Sequence, residues 1–488
     1  MRFSSFVRQL KKIAGPEAVL ERAEDLMLYE YDGGIHTSAP RAVVFPQTSD
    51  QVAGIVRLAG ENGFPVVPRG AGTGLSGGAL ARNGAVVLAF ARMNRILEID
   101  AANQRAMVQP GVVNLDLSEA AQPHGLYFAP DPSSQKSCTI GGNVAENSGG
   151  PHTLAYGVTV NHVTGLEVVL PSGEVVEFGG KCADHCGYDL TGFFVGSEGT
   201  LGIATKITVK LTRLPEASAT LLAIFNRIED AANTVVAITS EGITPAALEL
   251  LDGWTLRAVE AAAKAGYPLD SGAVLLIEVE GLREAVAEQA EAIREVCRRQ
   301  NAREVRTAKD EAERQRLWSG RKNAFGAIGR ISPSFYVQDG VIPRTRVPET
   351  LREIEKIAKK HALTIGNIFH AGDGNLHPLI LFDPRVPEQH ERTLAAARDI
   401  LAFCISVGGS LTGEHGVGME KNEMMPLLFT DDDLEVMRRL RDAFNPNGVL
   451  NPQKILPTTR ACREIAATPA LTDAIVGSGH AARTEPPA

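Results

Sequence analysis

The segment Pro68-Arg-Gly-Ala-Gly-Thr-Gly-Leu-Ser-Gly-Gly78 constrains this chain more than any other stretch. It contains a formal Gly72-x-Gly74-x-x-Gly77 match to a dinucleotide fingerprint, but a Rossmann turn must open a helix whose N-terminus meets the pyrophosphate. Only Ala79 to Arg82 separate this loop from the Asn83-Gly84 turn, so that helix is missing. What remains is a run of backbone N–H groups with the Thr73 and Ser76 hydroxyls, a nest suited to a diphosphate. Taken alone, the run reads equally well as a tight connecting loop.

A second loop shifts that balance. Asp131-Pro-Ser-Ser134 leads into Cys138-Thr-Ile-Gly-Gly-Asn-Val-Ala-Glu-Asn-Ser-Gly-Gly150, where Gly141, Gly142, Gly149 and Gly150 let backbone approach a flat ligand. Ser137, Thr139 and Asn147 add short polar groups. Two such loops imply one extended ligand, and a third, Gly196-Ser-Glu-Gly-Thr-Leu-Gly-Ile203, could turn its amides toward ring heteroatoms.

At 488 residues, 44% hydrophobic and 22% charged, the chain is too apolar for disorder and long enough for two or three domains. A net charge of -9 argues against nucleic acid as a partner. Six irregularly spaced cysteines point to a reducing compartment, hence a cytoplasmic protein, with a peripheral place at the inner membrane face if a partner holds it there. Phe3, Phe6, Leu10 and Ile13 share one helical face without a continuous apolar stretch, so no secretory signal is read there. No run of about 18 uncharged apolar residues occurs, so no transmembrane segment is expected.

The glycine-dense first half reads as α+β. A helix is expected from Thr48 to Asn62, with Thr48 and Gln51 as a capping box and Val52, Ile55, Val56 and Ala59 as its buried stripe, between strands Ala42 to Phe45 and Pro65 to Val67. Past Thr212 to Glu216 glycine thins out. Helices are expected at Glu229 to Glu241, Leu250 to Ala265, Leu282 to Gln300 and Pro348 to His361, with strands Thr220 to Phe225, Ala273 to Val279 and Phe335 to Ile342. That order suits an antiparallel sheet with helices on one face, roughly ferredoxin-like. The expected division is a helical segment over 1–37, a ligand domain over 38–215, a second domain over 216–407, a returning segment over 408–457 and a mobile tail over 458–488.

Chemistry-bearing residues cluster late, in His370-Ala-Gly-Asp-Gly-Asn-Leu-His377 and Gly413-Glu-His-Gly416. On one unbroken strand His370 and His377 would face opposite ways, but if Gly372-Asp-Gly374-Asn turns the chain back, their imidazoles converge. With the Glu414 carboxylate they would form a borderline-hard site with open positions, suited to zinc, manganese or iron. The bland alternative is two histidines hydrogen-bonded around a polar turn. Neighbouring side chains diverge in extended chain, so His415 would face another part of the same cavity. Cys182 and Cys186, with His185 between them, read as ordinary thiols.

These motifs, in this order over roughly residues 15 to 456, resemble the FAD-binding oxidoreductases of the vanillyl-alcohol oxidase type, with their PCMH-type flavin domain. Within that family the likeness is to the group of glycolate oxidase flavin subunits and D-lactate and D-2-hydroxyglutarate dehydrogenases. The resemblance implies an α+β fold: a two-lobed FAD-binding domain, a ferredoxin-like substrate or cap domain, and a C-terminal segment returning to the FAD domain. It implies that Pro68, Arg69, Gly70, Ala71, Gly72, Thr73, Gly74, Leu75 and Ser76 hold the FAD pyrophosphate. Pro130, Asp131, Ser134, Thr139, Gly141, Gly142, Asn143, Ala145, Asn147 and Ser148, with Glu198, Gly199, Gly202 and Ile203, would hold the rest, and Asn451 would hydrogen-bond the flavin. Arg69 to Gly78 contains neither His nor Cys, so the attachment is expected to be non-covalent.

The same resemblance makes His370, His377 and Glu414 ligands of a divalent metal, His415 the catalytic base and a substrate contact, and Arg321 the anchor of the substrate carboxylate. Dicarboxylate-specific relatives carry polar or basic residues where this chain places Phe325, Val337 and Leu379, which favours glycolate or D-lactate over 2-hydroxyglutarate. The implied reaction oxidises a small 2-hydroxy acid to the 2-keto acid, with hydride passing to flavin N5 and electrons going on to an iron-sulfur subunit or a quinone. Other readings are an alkyl-dihydroxyacetonephosphate synthase-like flavoenzyme and a non-catalytic flavin scaffold in an electron-transfer complex. A homodimer is left open.

Overall fold

The computed structural model describes residues 1–182 and 186–457, so His185 and the expected tail lie outside the described residues. In the first half, Ala42–Val44 and Val66–Arg69 flank Val86–Ala89 in parallel, and Val19–Leu20 adds an antiparallel fourth strand beside Ala42–Val44. The helix Ser49–Asn62 starts where expected: Thr48 accepts from the Gln51 amide, and Val52, Ile55, Val56 and Ala59 are buried. Gln51 itself accepts from the amide of Gln47 rather than Thr48. The helix Phe3–Ala14 adds Phe6, Val7 and Leu10 to the same core.

A second sheet of five antiparallel strands follows, with Ile203–Lys210 at its centre between Arg105–Val108 and Val163–Val169. No helix follows the first glycine loop before Val86–Ala89, which rules out a Rossmann turn there.

The second half is one eight-stranded sheet. Its first part runs Glu304–Thr307, Ala217–Phe225, Ala273–Gly281, Ala247–Asp252, the ferredoxin-like order, and Thr364–His370, Asn375–Phe382 and Ser334–Val337 extend it. Three expectations need correcting. Leu250 to Asp252 are strand rather than helix, because the wholly buried run Ala247–Asp252 ends where Asp252 caps the helix Gly253–Ala263 by accepting from the Thr255 amide. The strand expected over Phe335 to Ile342 breaks into Ser334–Val337 and Gly340–Val341, leaving Gln338 and Asp339 between them. Helices also cover both faces rather than one: Ile228–Ser240, Arg283–Arg299, Val347–His361 and Pro387–Ser406 pack on one side, and Gly253–Ala263, Glu311–Lys322 and Ala324–Ile328 on the other.

The two halves meet across a buried ionic seam. His152 Nδ1 lies 2.9 Å from Asp131 Oδ2, and its Nε2 lies 3.5 Å from Glu278 Oε1 on the large sheet. Its ring stacks on Trp318, whose Nε1 donates to Glu278 at 2.6 Å, and Arg314 closes on the same carboxylate at 2.6 Å. Burial alone would discharge His152, yet Asp131 and Glu278 hold it up at about 10.

A histidine raised from 6.5 to about 10 by folding contributes stability that is complete below pH 6.5 and is lost as the pH rises through the folded value. The stability difference between wild type and His152→Gln, measured by urea unfolding, should therefore be largest at the acidic end of that window and shrink toward its alkaline end. A difference that stayed constant would mean an uncharged imidazole in the seam.

Candidate active site

The strands Thr364–His370 and Asn375–Phe382 form a hairpin in which Ile368 pairs with His377 and His370 with Asn375. Residues 368 and 370 share a face of their strand, so the register brings His370 and His377 to one side. Their ring centroids are 5.0 Å apart at 88°, and both Nε2 atoms face Glu414 Oε1, at 3.2 Å for His370 and 3.0 Å for His377. Neither ring nitrogen of His377 has an aligned hydrogen-bond partner among the described residues. Burial would raise Glu414, but His370 and His377 hold it well below the usual carboxylate range.

His415 stacks on His377 with centroids 4.8 Å apart, its Nδ1 4.0 Å from Asp339 Oδ2 and its Nε2 3.9 Å from Glu414 Oε1. Burial, with like charge from His377, pushes it down to about 4 against the pull of Asp339, so the imidazole is neutral at neutral pH. Asp339 also builds the loop that carries these groups. It accepts from the Thr412 hydroxyl, from the amides of Gly413 at 3.1 Å and His415 at 3.0 Å, and from Lys421 Nζ at 3.3 Å.

All four groups open onto one cavity of about 380 Å³, which they share with the first loop from Gly70 to Leu75, with Ser134, Thr139, Gly142, Asn143 and Ser148, and with Arg321. A narrower cavity of about 60 Å³ is lined by Pro68, Arg69, Gly141, Ala145, Gly199, Gly202 and Ile203, and shares Gly70, Thr139 and Gly142 with the larger one. The space is thus elongated, with glycine backbone along it and imidazoles at one end.

Residues 40–179 match the family model "FAD binding domain", and residues 214–455 match "FAD linked oxidases, C-terminal domain". The chain is 46% identical to the glycolate oxidase subunit GlcD of Escherichia coli strain K12, over 92% of this chain and 90% of that protein. The chain belongs to the FAD-linked oxidases. It is also 33% identical to D-2-hydroxyglutarate dehydrogenase of Stutzerimonas stutzeri strain A1501, over 92% of this chain and 98% of that one, and 32% identical to mitochondrial D-lactate dehydrogenase [cytochrome] of Arabidopsis thaliana, over 86% and 74%. Among solved structures, substrate-bound p-cresol methylhydroxylase matches with a TM-score of 0.79 at 19% identity, covering 93% of this chain and 96% of that chain, a likeness of fold.

An FAD-linked oxidase needs backbone that a flat, phosphorylated ligand can touch, and the first loop has it. Gly72 has φ +72°, a conformation that L side chains rarely adopt, and the Arg69 guanidinium stands where a Cβ would be, so glycine is strongly favoured there. Gly74 is different: a Cβ there would meet no protein atom nearer than Glu146 Oε1 at 4.0 Å, and the residue lines the larger cavity.

Six residues expected at the cofactor line neither cavity and instead hold the frame. The Ser76 carbonyl accepts from the Met419 and Glu420 amides, and the Pro130 carbonyl from Asn114 Nδ2. Asp131 pairs with His152, Asn147 Oδ1 accepts from the Val160 amide, and Glu198 accepts from the amides of Val417 and Gly418. Asn451 Nδ2 donates to the carbonyls of Gly78 and Glu198, so that amide nitrogen staples the returning chain to the loop.

Arg321 is buried rather than solvated: its Nε donates to Glu249 Oε2 at 2.6 Å. Glu249, Asp339, Lys421 and Glu146 went unread in the sequence. The available signal was an acid inside an apolar run, as in Ala247-Leu-Glu-Leu-Leu-Asp252.

Gly74→Ala is expected to leave the thermal midpoint of the flavin-free protein unchanged while weakening FAD binding about tenfold. The ratio of flavin to protein absorbance after dialysis checks this, and undiminished flavin content would remove Gly74 from the cofactor wall.

Proposed function

We propose that this FAD-linked oxidase converts a small 2-hydroxy acid, glycolate or D-lactate, to the 2-keto acid. The observation that carries this reading is the shared cavity, in which His370, His377, Glu414, His415 and Arg321 face the glycine loops. Relatives named glycolate oxidase subunit and D-lactate dehydrogenase support the substrate class.

Arg321 is held through Nε and Nη2 by Glu249 and lines the cavity, so its guanidinium is placed to meet the substrate carboxylate. His415 Nε2 takes the hydroxyl proton as the C–H bond gives up its hydride. FAD, bound non-covalently, supplies the two-electron acceptor. The buried His377 nitrogens without aligned partners, aimed with His370 at one carboxylate, fit a divalent cation, and zinc, manganese or iron there would acidify the substrate alcohol.

Phe325 lines the cavity, and Val337 and Leu379 pair with each other inside the sheet core, so none of the three offers a donor to a second carboxylate. Lys322, also on the wall, is engaged by Asp131 at 3.5 Å. This favours a monocarboxylate. The reduced flavin passes its electrons to a partner protein or quinone, in keeping with the word subunit in the names of these relatives. Among the described residues no helix is long and apolar enough to cross a membrane. We place the enzyme in the cytoplasm, where a partner could hold it at the inner membrane face.

Anaerobic addition of glycolate or D-lactate should bleach the flavin absorbance, with 2-hydroxyglutarate at least about tenfold less effective in kcat/KM. Absence of bleaching by every 2-hydroxy acid in a panel would end this reading. His415→Asn should retain FAD and metal but lose about 10²- to 10⁴-fold in the rate of flavin reduction. Full reduction rate in that variant would exclude His415 as the base.

A further inference from the structure

We propose that Glu249 is the positioning residue of this site: one buried carboxylate sets the proton on His370 and aims the guanidinium of Arg321. The inference rests on the reading above of His370 as a metal ligand and Arg321 as the substrate anchor.

Glu249 lies in the middle of the buried strand Ala247–Asp252, and the antiparallel register places it opposite His370. Its side chain is fully enclosed. A carboxylate in such an apolar run is retained only if its charge is answered, and here two groups answer it. His370 Nδ1 lies 2.8 Å from Oε1 and 3.0 Å from Oε2, while Arg321 Nε and Nη2 both reach Oε2 at 2.6 Å.

The geometry decides between two tautomers. Arg321 Nη2 is also 3.3 Å from His370 Nδ1. Without the Glu249 charge, that guanidinium could donate to Nδ1, and the ring proton would then sit on Nε2, the nitrogen that faces Glu414. With Glu249 in place, Nδ1 carries the hydrogen and donates it, so Nε2 presents its lone pair to the site. The same carboxylate fixes Nε and Nη2 of Arg321, a residue that lines the cavity. Glu249 thereby ties the ion site and the carboxylate anchor to one strand position.

Glu249→Gln removes the charge at nearly constant volume, and its amide nitrogen would confront donors on both sides. Measured on the flavin-loaded, metal-stripped enzyme by chelator competition, Zn²⁺ affinity should fall about 10- to 100-fold. KM for glycolate or D-lactate should rise more than kcat falls, with flavin content unchanged. Glu249→Asp keeps the charge on a shorter arm that cannot serve both partners, so it should show the same changes in smaller measure, and it carries the test if the Gln variant does not fold. A lowered melting temperature with unchanged Zn²⁺ affinity and unchanged KM would overturn the proposal, leaving Glu249 a structural ion pair. His370→Ala, run in parallel, separates the two claims: loss of Zn²⁺ there with none in the Glu249 variants refutes the positioning role alone, whereas retention in all of them refutes the ligand reading itself.

Discussion

Asp339 and Glu198 are buried carboxylates from opposite halves of the molecule, and both give their oxygens to backbone amides of residues 413 to 418. A glycine-rich segment of that kind has no ladder in which to satisfy its N–H groups, so without such acceptors it could not be buried at all. Charge-assisted bonds fix it from both sides. Lys421 answers Asp339 at 3.3 Å, and Lys454, whose Nζ donates to the Leu80 carbonyl, lies close enough to Glu198 to interact with its charge. Glu414 and His415 sit inside this strap, so their positions are set by acids that line neither cavity.

The strap also docks onto the first glycine loop, through the Ser76 carbonyl and the Met419 and Glu420 amides. Gly418 has to be glycine because that carbonyl stands where its Cβ would be. The first glycine loop and the segment that carries Glu414 and His415 are therefore built against each other, and Asn451 adds the last staple by spanning Gly78 and Glu198. A chain that returns to its first half late is what closes the cavity.

Much of this was legible before any coordinates. Glycine runs without a following helix announced a ligand cradle other than a Rossmann turn, and Gly372-Asp-Gly374 announced the hairpin that brings His370 to His377. Those signals are local. Glu249 meets its partner across 121 residues and Asp339 meets His415 across 76, and separations of that size leave no periodic trace. The run around Leu250 was misread for a related reason: a fully buried strand alternates no polar face, so it merges with the apolar start of the helix behind it. Six residues expected at the cofactor line neither cavity, because a motif does not say which of its members point inward.

The charges around the imidazoles make a demand of their own. Around His370, Glu414 and His415, the carboxylates of Glu249, Glu414 and Asp339 face two permanent cations, Arg321 on Glu249 and Lys421 on Asp339. The enclosure therefore carries an excess negative charge before any substrate arrives, and a 2-hydroxy acid would add another. In a low-dielectric cavity two like charges at contact distance are strongly unfavourable, and the guanidinium cannot answer both Glu249 and the ligand in full. The imbalance is relieved either by a proton on His370, which Glu249 and Glu414 hold well above its ordinary range, or by a divalent cation between the imidazoles and Glu414. On the proposed reading, the second would leave a surplus of positive charge for an incoming carboxylate and would engage both His370 and His377, which converge on the same oxygen of Glu414.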